Sequence, residues 1–137
     1  METYASAQGI KRTVFELLAD TNKPSSLSTL NYGELDAKMI SEAAEAGDEI
    51  AQIAFDYTGK TLAEGLADTV AHLSPSTIFL FGGLCKAGSW ILDPTRRHLE
   101  EALLNIYKNK IEVRFSELNE RNGAILGSAA LVWKEEE

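Results

Sequence analysis

Apolar residues first recur at helical spacing between Tyr4 and Leu18, where Ile10, Val14, Phe15 and Leu18 share one face. Thr21 to Ser28 is polar, carries Pro24 and reads as a loop. Asp36 stands where a side-chain oxygen can cap a short helix over Ala37 to Ala46, ended by Gly47. Asp48 opens a longer helix with apolar positions at Ile50, Ile53, Ala54 and Tyr57, continued by Leu62, Leu66, Val70 and Leu73. Its roughly 25 residues would run on the order of 37 Å. Gly59 and Gly65 weaken such a helix, so a neighbour must approach closely to justify them. Pro75 closes the segment.

The period then changes. Thr77-Ile78-Phe79-Leu80-Phe81 is a short apolar run ending in Gly82-Gly83, the pattern of a strand buried on both faces. Behind Pro94, the spacing of Leu99, Leu103 and Ile106 predicts a helix over Thr95 to Tyr107. Ile111 to Phe115 alternates and predicts a strand with one wet face. A last helix, Gly123 to Trp133, can be capped by Asn122 and has a face of small residues. Strand–helix–strand over 77–115 has room for a parallel crossover, which makes the chain α/β. Two strands alone are marginal, and Thr77 to Phe81 calls for neighbours on both sides. The sequence therefore reads as starting partway through a fold. Its open sheet edges are expected to be covered by association with another chain, as in a homo-oligomer.

Thirteen basic against 21 acidic residues give a formal net charge of −8, which argues against a nucleic-acid surface. Local backbone N–H groups can still hold a phosphorylated small molecule. The single cysteine, Cys85, cannot form an internal disulfide. No apolar stretch is long enough to span a bilayer, and the METYASAQG start lacks the regions of a secretory signal. A soluble, cytoplasmic protein that touches no membrane is the expectation.

The chemistry centres on Gly82-Gly83. Without a Cβ, a ligand can reach the backbone, and N–H groups can point at phosphate oxygens. A simple tight turn is the alternative. Gly83 and Gly88 have Walker A spacing, but Ser89 stands where that motif needs Lys, which excludes a P-loop. His98 and Glu101, one helical turn apart, are too few for a metal site and are expected to pack or to face solvent. With no His beside it in sequence, Cys85 reads as a small half-buried filler rather than a nucleophile.

FLFGGLCKAG resembles the adenosine-contacting segment of the ROK family (repressors, open reading frames and sugar kinases). ETYASAQGI resembles the stretch just after that family's zinc-binding cysteines, and SEAAEAGDEIA its helix–Gly-Asp–helix junction. RNGAILGSAALVW is similar to its closing Asn-x-Ala-x-x-Gly-Ala-Ala helix. Four segments in order across nearly the whole chain resemble the ROK glucokinases most. The resemblance implies a partial actin-like ATPase (ribonuclease H-like) domain, with residues 1–137 as one unit from the C-terminal part of a kinase domain. It implies an ATP-dependent hexose kinase that uses Mg²⁺ and binds nucleotide and hexose. The adenosine contact would lie at Gly82, Gly83 and Leu84, and Glu2 would accept hydrogen bonds from sugar hydroxyls. The alternative is the effector-binding part of a ROK repressor. The family's Asp-x-Gly-Gly-Thr segment, its Asn-Asp pair with the catalytic base and its Cys-rich zinc motif have no counterpart in this sequence. No catalytic residue is therefore assigned, and the 137 residues alone are expected to be inactive. Leu84-Cys85-Lys86 departs from the family, which often has Gly and Ser after the glycine pair.

Overall fold

The computed structural model describes residues 5–117. Helix α1, Ala7–Asp20, starts where the Ser6 hydroxyl accepts from Gly9 N–H at 3.0 Å, three residues later than the apolar spacing places it. The polar loop that follows contains a 3₁₀ turn, Ser26–Thr29. Helix α2, Ala37–Glu45, is capped by Asp36, whose carboxylate accepts from Met39 N–H at 2.7 Å. The chain turns at Gly47, with φ +91°. Asp48 then caps α3, Glu49–Leu73, through Ile50 and Ala51 N–H. Ser74, left-handed at φ 49°, ends α3 ahead of Pro75.

Strand β1, Thr77–Leu80, and strand β2, Glu112–Phe115, pair in parallel, with Thr77 opposite Glu112 and Leu80 opposite Phe115. A 3₁₀ turn, Gly83–Ala87, and helix α4, Ser89–Ala102, connect them. The crossover expected from the sequence is present, with different helix boundaries. α4 starts six residues before Thr95, because Gly88 (φ 59°, ψ −130°) breaks the chain there and Pro94 is tolerated inside the helix. It stops at Ala102, leaving Ile106 63% exposed instead of on the buried stripe.

Among the described residues two apolar clusters form the core, and α3 runs through both. Ile10, Val14, Ile40, Phe55 and Ile91 anchor the first, Val70, Leu80, Leu99 and Val113 the second. The most extensive contact between elements is α3 against α4. These helices cover one sheet face, burying Leu80 and Val113. The other face carries Phe79, 64% exposed, and Phe81, 47% exposed, so burial of β1 on both faces is not observed. The reason is that every described helix packing on the sheet lies on one side of it. Arg96 on α4 ties β2 down, its Nε and Nη2 donating to Val113 O at 3.0 and 2.6 Å. Among the described residues no helix is long and apolar enough to cross a membrane. The last predicted helix, 123–133, and Glu2 lie outside the described residues.

Candidate functional site

The glycine pair follows the end of β1, as its sequence context requires. Gly82 has φ +118° and ψ 178°, a conformation that only glycine adopts without strain. A Cβ added at Gly82 or Gly83 would meet nothing within 4 Å, so open space lies against this backbone. Bonding back into the loop starts with Cys85 N–H to Gly82 O at 3.0 Å, which leaves the Gly83 and Leu84 N–H groups unused by the turn.

Leu84 is turned inward. Its side chain is buried beside Ala87 and Ile91 in the first cluster, so it anchors the loop and can offer a ligand only backbone. The contact expected at Leu84 would then fall on its backbone, since its apolar side chain packs into the core. Cys85 is half-buried against the second cluster, and Lys86 is exposed.

Gly88 completes the arrangement. As N-cap of α4 it supplies no side chain, and its carbonyl accepts from Ile91 and Leu92 N–H. The N–H groups of Ser89 and Trp90 are left over by the helix and carry its partial positive charge. The segment 82–90 thus presents two sets of backbone donors with no Cβ at three of its positions. Such a surface suits the phosphate and sugar oxygens of a nucleotide and needs no basic side chain. Beside it, between α3 and α4, runs a groove of about 370 Å³ lined by Phe55, Asp56, Ser89, Trp90 and Arg97 among others.

Both histidines have structural partners. His98 sits between two carboxylates, Nε2 at 3.1 Å from Asp56 Oδ1 and Nδ1 at 3.3 Å from Glu101 Oε2, and Arg97 also pairs with Asp56. His72 Nδ1 lies 2.7 Å from Asp68 O on the surface of α3. Among the described residues no three His, Cys, Asp or Glu side chains are grouped to hold a metal.

Asp48 does more than cap. One carboxylate oxygen takes Ile50 and Ala51 N–H at 3.1 and 3.3 Å. The other takes the Ser25 hydroxyl, Ser26 N–H and the Ser26 hydroxyl at 2.8, 2.8 and 2.9 Å. Desolvation alone would raise this carboxyl, but the hydrogen bonds from Ser25, Ser26 and Ala51 outweigh it and hold it below its ordinary range. Its position before a helix marks the cap in the sequence. The clamp on the 25–26 loop leaves no mark there, because the partners lie over 20 positions away.

Residues 1–135 match the ROK family profile. The chain belongs to the ROK family. It is 34% identical over 139 aligned residues to a glucokinase of Halalkalibacterium halodurans, covering 99% of this chain and 41% of that protein. It is 26% identical to the transcriptional regulator NagC of Escherichia coli, over 96% of this chain and 31% of NagC. Among solved structures, a ROK glucokinase of Streptomyces griseus in complex with glucose and AMPPNP superposes with a TM-score of 0.80 at 27% identity, over 95% of this chain and 43% of that one. This chain spans about two fifths or less of the length of the curated relatives it matches. It shares the actin-like ATPase architecture of the ROK sugar kinases, and its described residues are helix-rich with a short two-stranded parallel sheet.

Proposed function

We propose that this chain is the C-terminal part of a ROK sugar kinase of the glucokinase type, which transfers the γ-phosphoryl group of ATP to a hexose. The observation that carries the reading is the glycine pair after β1, with Gly82 at φ +118° and open space where both side chains would stand. Backbone donors at Gly83, Leu84, Ser89 and Trp90 would hold the nucleotide, and Glu2, outside the described residues, would bind sugar hydroxyls. Mg²⁺, when bound with ATP, would neutralise phosphate charge, and the groups that bind it and deprotonate the sugar would come from a part of the enzyme not in this sequence. The greater identity to a glucokinase than to NagC favours this reading, as does a structural neighbour holding glucose and AMPPNP.

Titration of ¹⁵N-labelled chain with AMPPNP and Mg²⁺ tests it. The amide resonances of Gly82 and Gly83 should move, while the chain alone should show no ATP-dependent hexose phosphorylation. Unmoved glycine resonances at saturating nucleotide would refute the proposal. The NagC likeness supports a second reading, a sugar-sensing repressor in a cytoplasmic setting, which predicts a response to sugar and none to nucleotide.

A further inference from the structure

Helix α4, which follows the glycine-pair loop, packs on α3, and where the two come close the α3 residue is another glycine. A Cβ on Gly59 would stand 2.9 Å from Pro94 Cβ, 3.0 Å from Pro94 Cγ and 3.0 Å from the backbone nitrogen of Thr95. One turn earlier on both helices, Phe55 faces Trp90, with ring centroids 6.4 Å apart and planes 30° apart. The first half of α4 therefore meets α3 in two adjacent layers, a pair of large rings and a glycine–proline pair. Glycine is a poor helix former. Its presence at a buried mid-helix position, where alanine would favour the helix, fits the need for that close approach.

What Pro94 seats is the start of α4. Pro94 has no N–H, so the Trp90 carbonyl lacks its usual intrahelical donor, and external packing must hold this turn. From there to the glycine pair the links are short. Thr95 Oγ1 donates to Ile91 O at 2.6 Å. Ile91 shares the first cluster with Ala87 and Leu84. Gly88 N–H bonds to Cys85 O, and Cys85 N–H to Gly82 O. A shift of α4 at Pro94 has few soft joints in which to die out before it reaches the loop.

We infer that Gly59 is a positioning residue for the glycine-pair loop: its missing Cβ lets Pro94 and the Thr95 backbone seat against α3, and that seating sets where the Gly82-Gly83 backbone stands. A Cβ there would press on a backbone atom as well as on the ring, and a backbone atom cannot rotate aside, so α4 itself would move. For its functional consequence the inference rests on the nucleotide reading; the placement of the loop can be measured without nucleotide.

The test compares ¹H–¹⁵N spectra and AMPPNP–Mg²⁺ titrations of the wild-type chain, Gly59→Ala, and the size swap Gly59→Ala/Pro94→Gly. Gly59→Ala should displace the Gly82, Gly83 and Gly88 resonances in the absence of nucleotide and weaken nucleotide binding about tenfold. The size swap, which removes the ring contacts but not the one to Thr95 N, should return both part of the way toward wild type. A Gly59→Ala chain that melts earlier, yet keeps wild-type glycine resonances and affinity, would overturn the inference and leave Gly59 a packing residue only. If the wild-type resonances ignore nucleotide, the kinase reading fails, while the positioning claim still stands or falls on the displacement. Should Gly59→Ala not fold, Pro94→Gly alone decides. Faster amide exchange over 83–88 supports the inference, and unchanged exchange overturns it.

Discussion

Asp48 joins two parts of the molecule, the start of α3 and the 25–26 loop, through one carboxylate, and its removal has a calculable cost. In Asp48→Ala, α3 loses its cap, which costs about 1 kcal/mol. The Ser25 and Ser26 donors lose a charged acceptor. A hydrogen bond to a charged group is worth about 1.5–3 kcal/mol when buried, but these donors can turn to water, so about 1–2 kcal/mol for all three is reasonable. Asp48→Ala should therefore cost about 2–3 kcal/mol, a fall in melting temperature on the order of 10 °C. Asp48→Asn separates the two parts. Asparagine caps as well as aspartate, so only the loop share, about 1–2 kcal/mol, should be lost.

The pH dependence follows from the direction of the shift. The folded carboxyl lies below its ordinary value of 3.8, so its contribution is complete above that value and is lost as pH falls through the lower folded value. The gap in melting temperature between wild type and Asp48→Asn, read by circular dichroism, should be constant from about pH 7 to 5 and narrow toward about pH 3. A gap that is absent at neutral pH, or that persists unchanged in acid, would refute the account of Asp48 as a charged clamp.

Other substitutions probe the remaining features. Gly82→Ala forces φ +118° on a residue with a Cβ and should cost about 1–3 kcal/mol in a denaturant titration. Gly83→Val meets open space and lacks that strain, so stability should stay within about 0.5 kcal/mol while the nucleotide response at Gly82 disappears. Arg96→Met keeps the apolar stem but removes both donors to Val113 O, and thermal melting should show a loss of about 1–2 kcal/mol. Phe79→Ser on the exposed sheet face should change stability by no more than about 0.5 kcal/mol. It should lower self-association measured by light scattering at high concentration, and a wild-type chain that is already monomeric there would remove the reason for expecting a homo-oligomer.

Features encoded within a few positions of one another were decided by the sequence alone. Asp36, Asp48 and Pro75 bound their helices as residue type dictates, because a cap reaches only two or three residues along the chain. The alternation of Ile111 to Phe115 placed Val113 inward and Glu112 outward, and the apolar run before Gly82-Gly83 located the loop. Tertiary structure decided the rest. Pro94 lies inside α4 because Gly59, thirty-five positions earlier, leaves room for its ring, and no period in α4 carries that information. Phe79 and Phe81 share the apolar character of Ile78 and Leu80, yet only the latter pair faces helices. Leu84 turned out to be an anchor and Asp48 a clamp through partners elsewhere in the chain. Hydrophobic period tells which residues can be buried. Which of them are buried, and against what, depends on contacts that form only when distant segments meet.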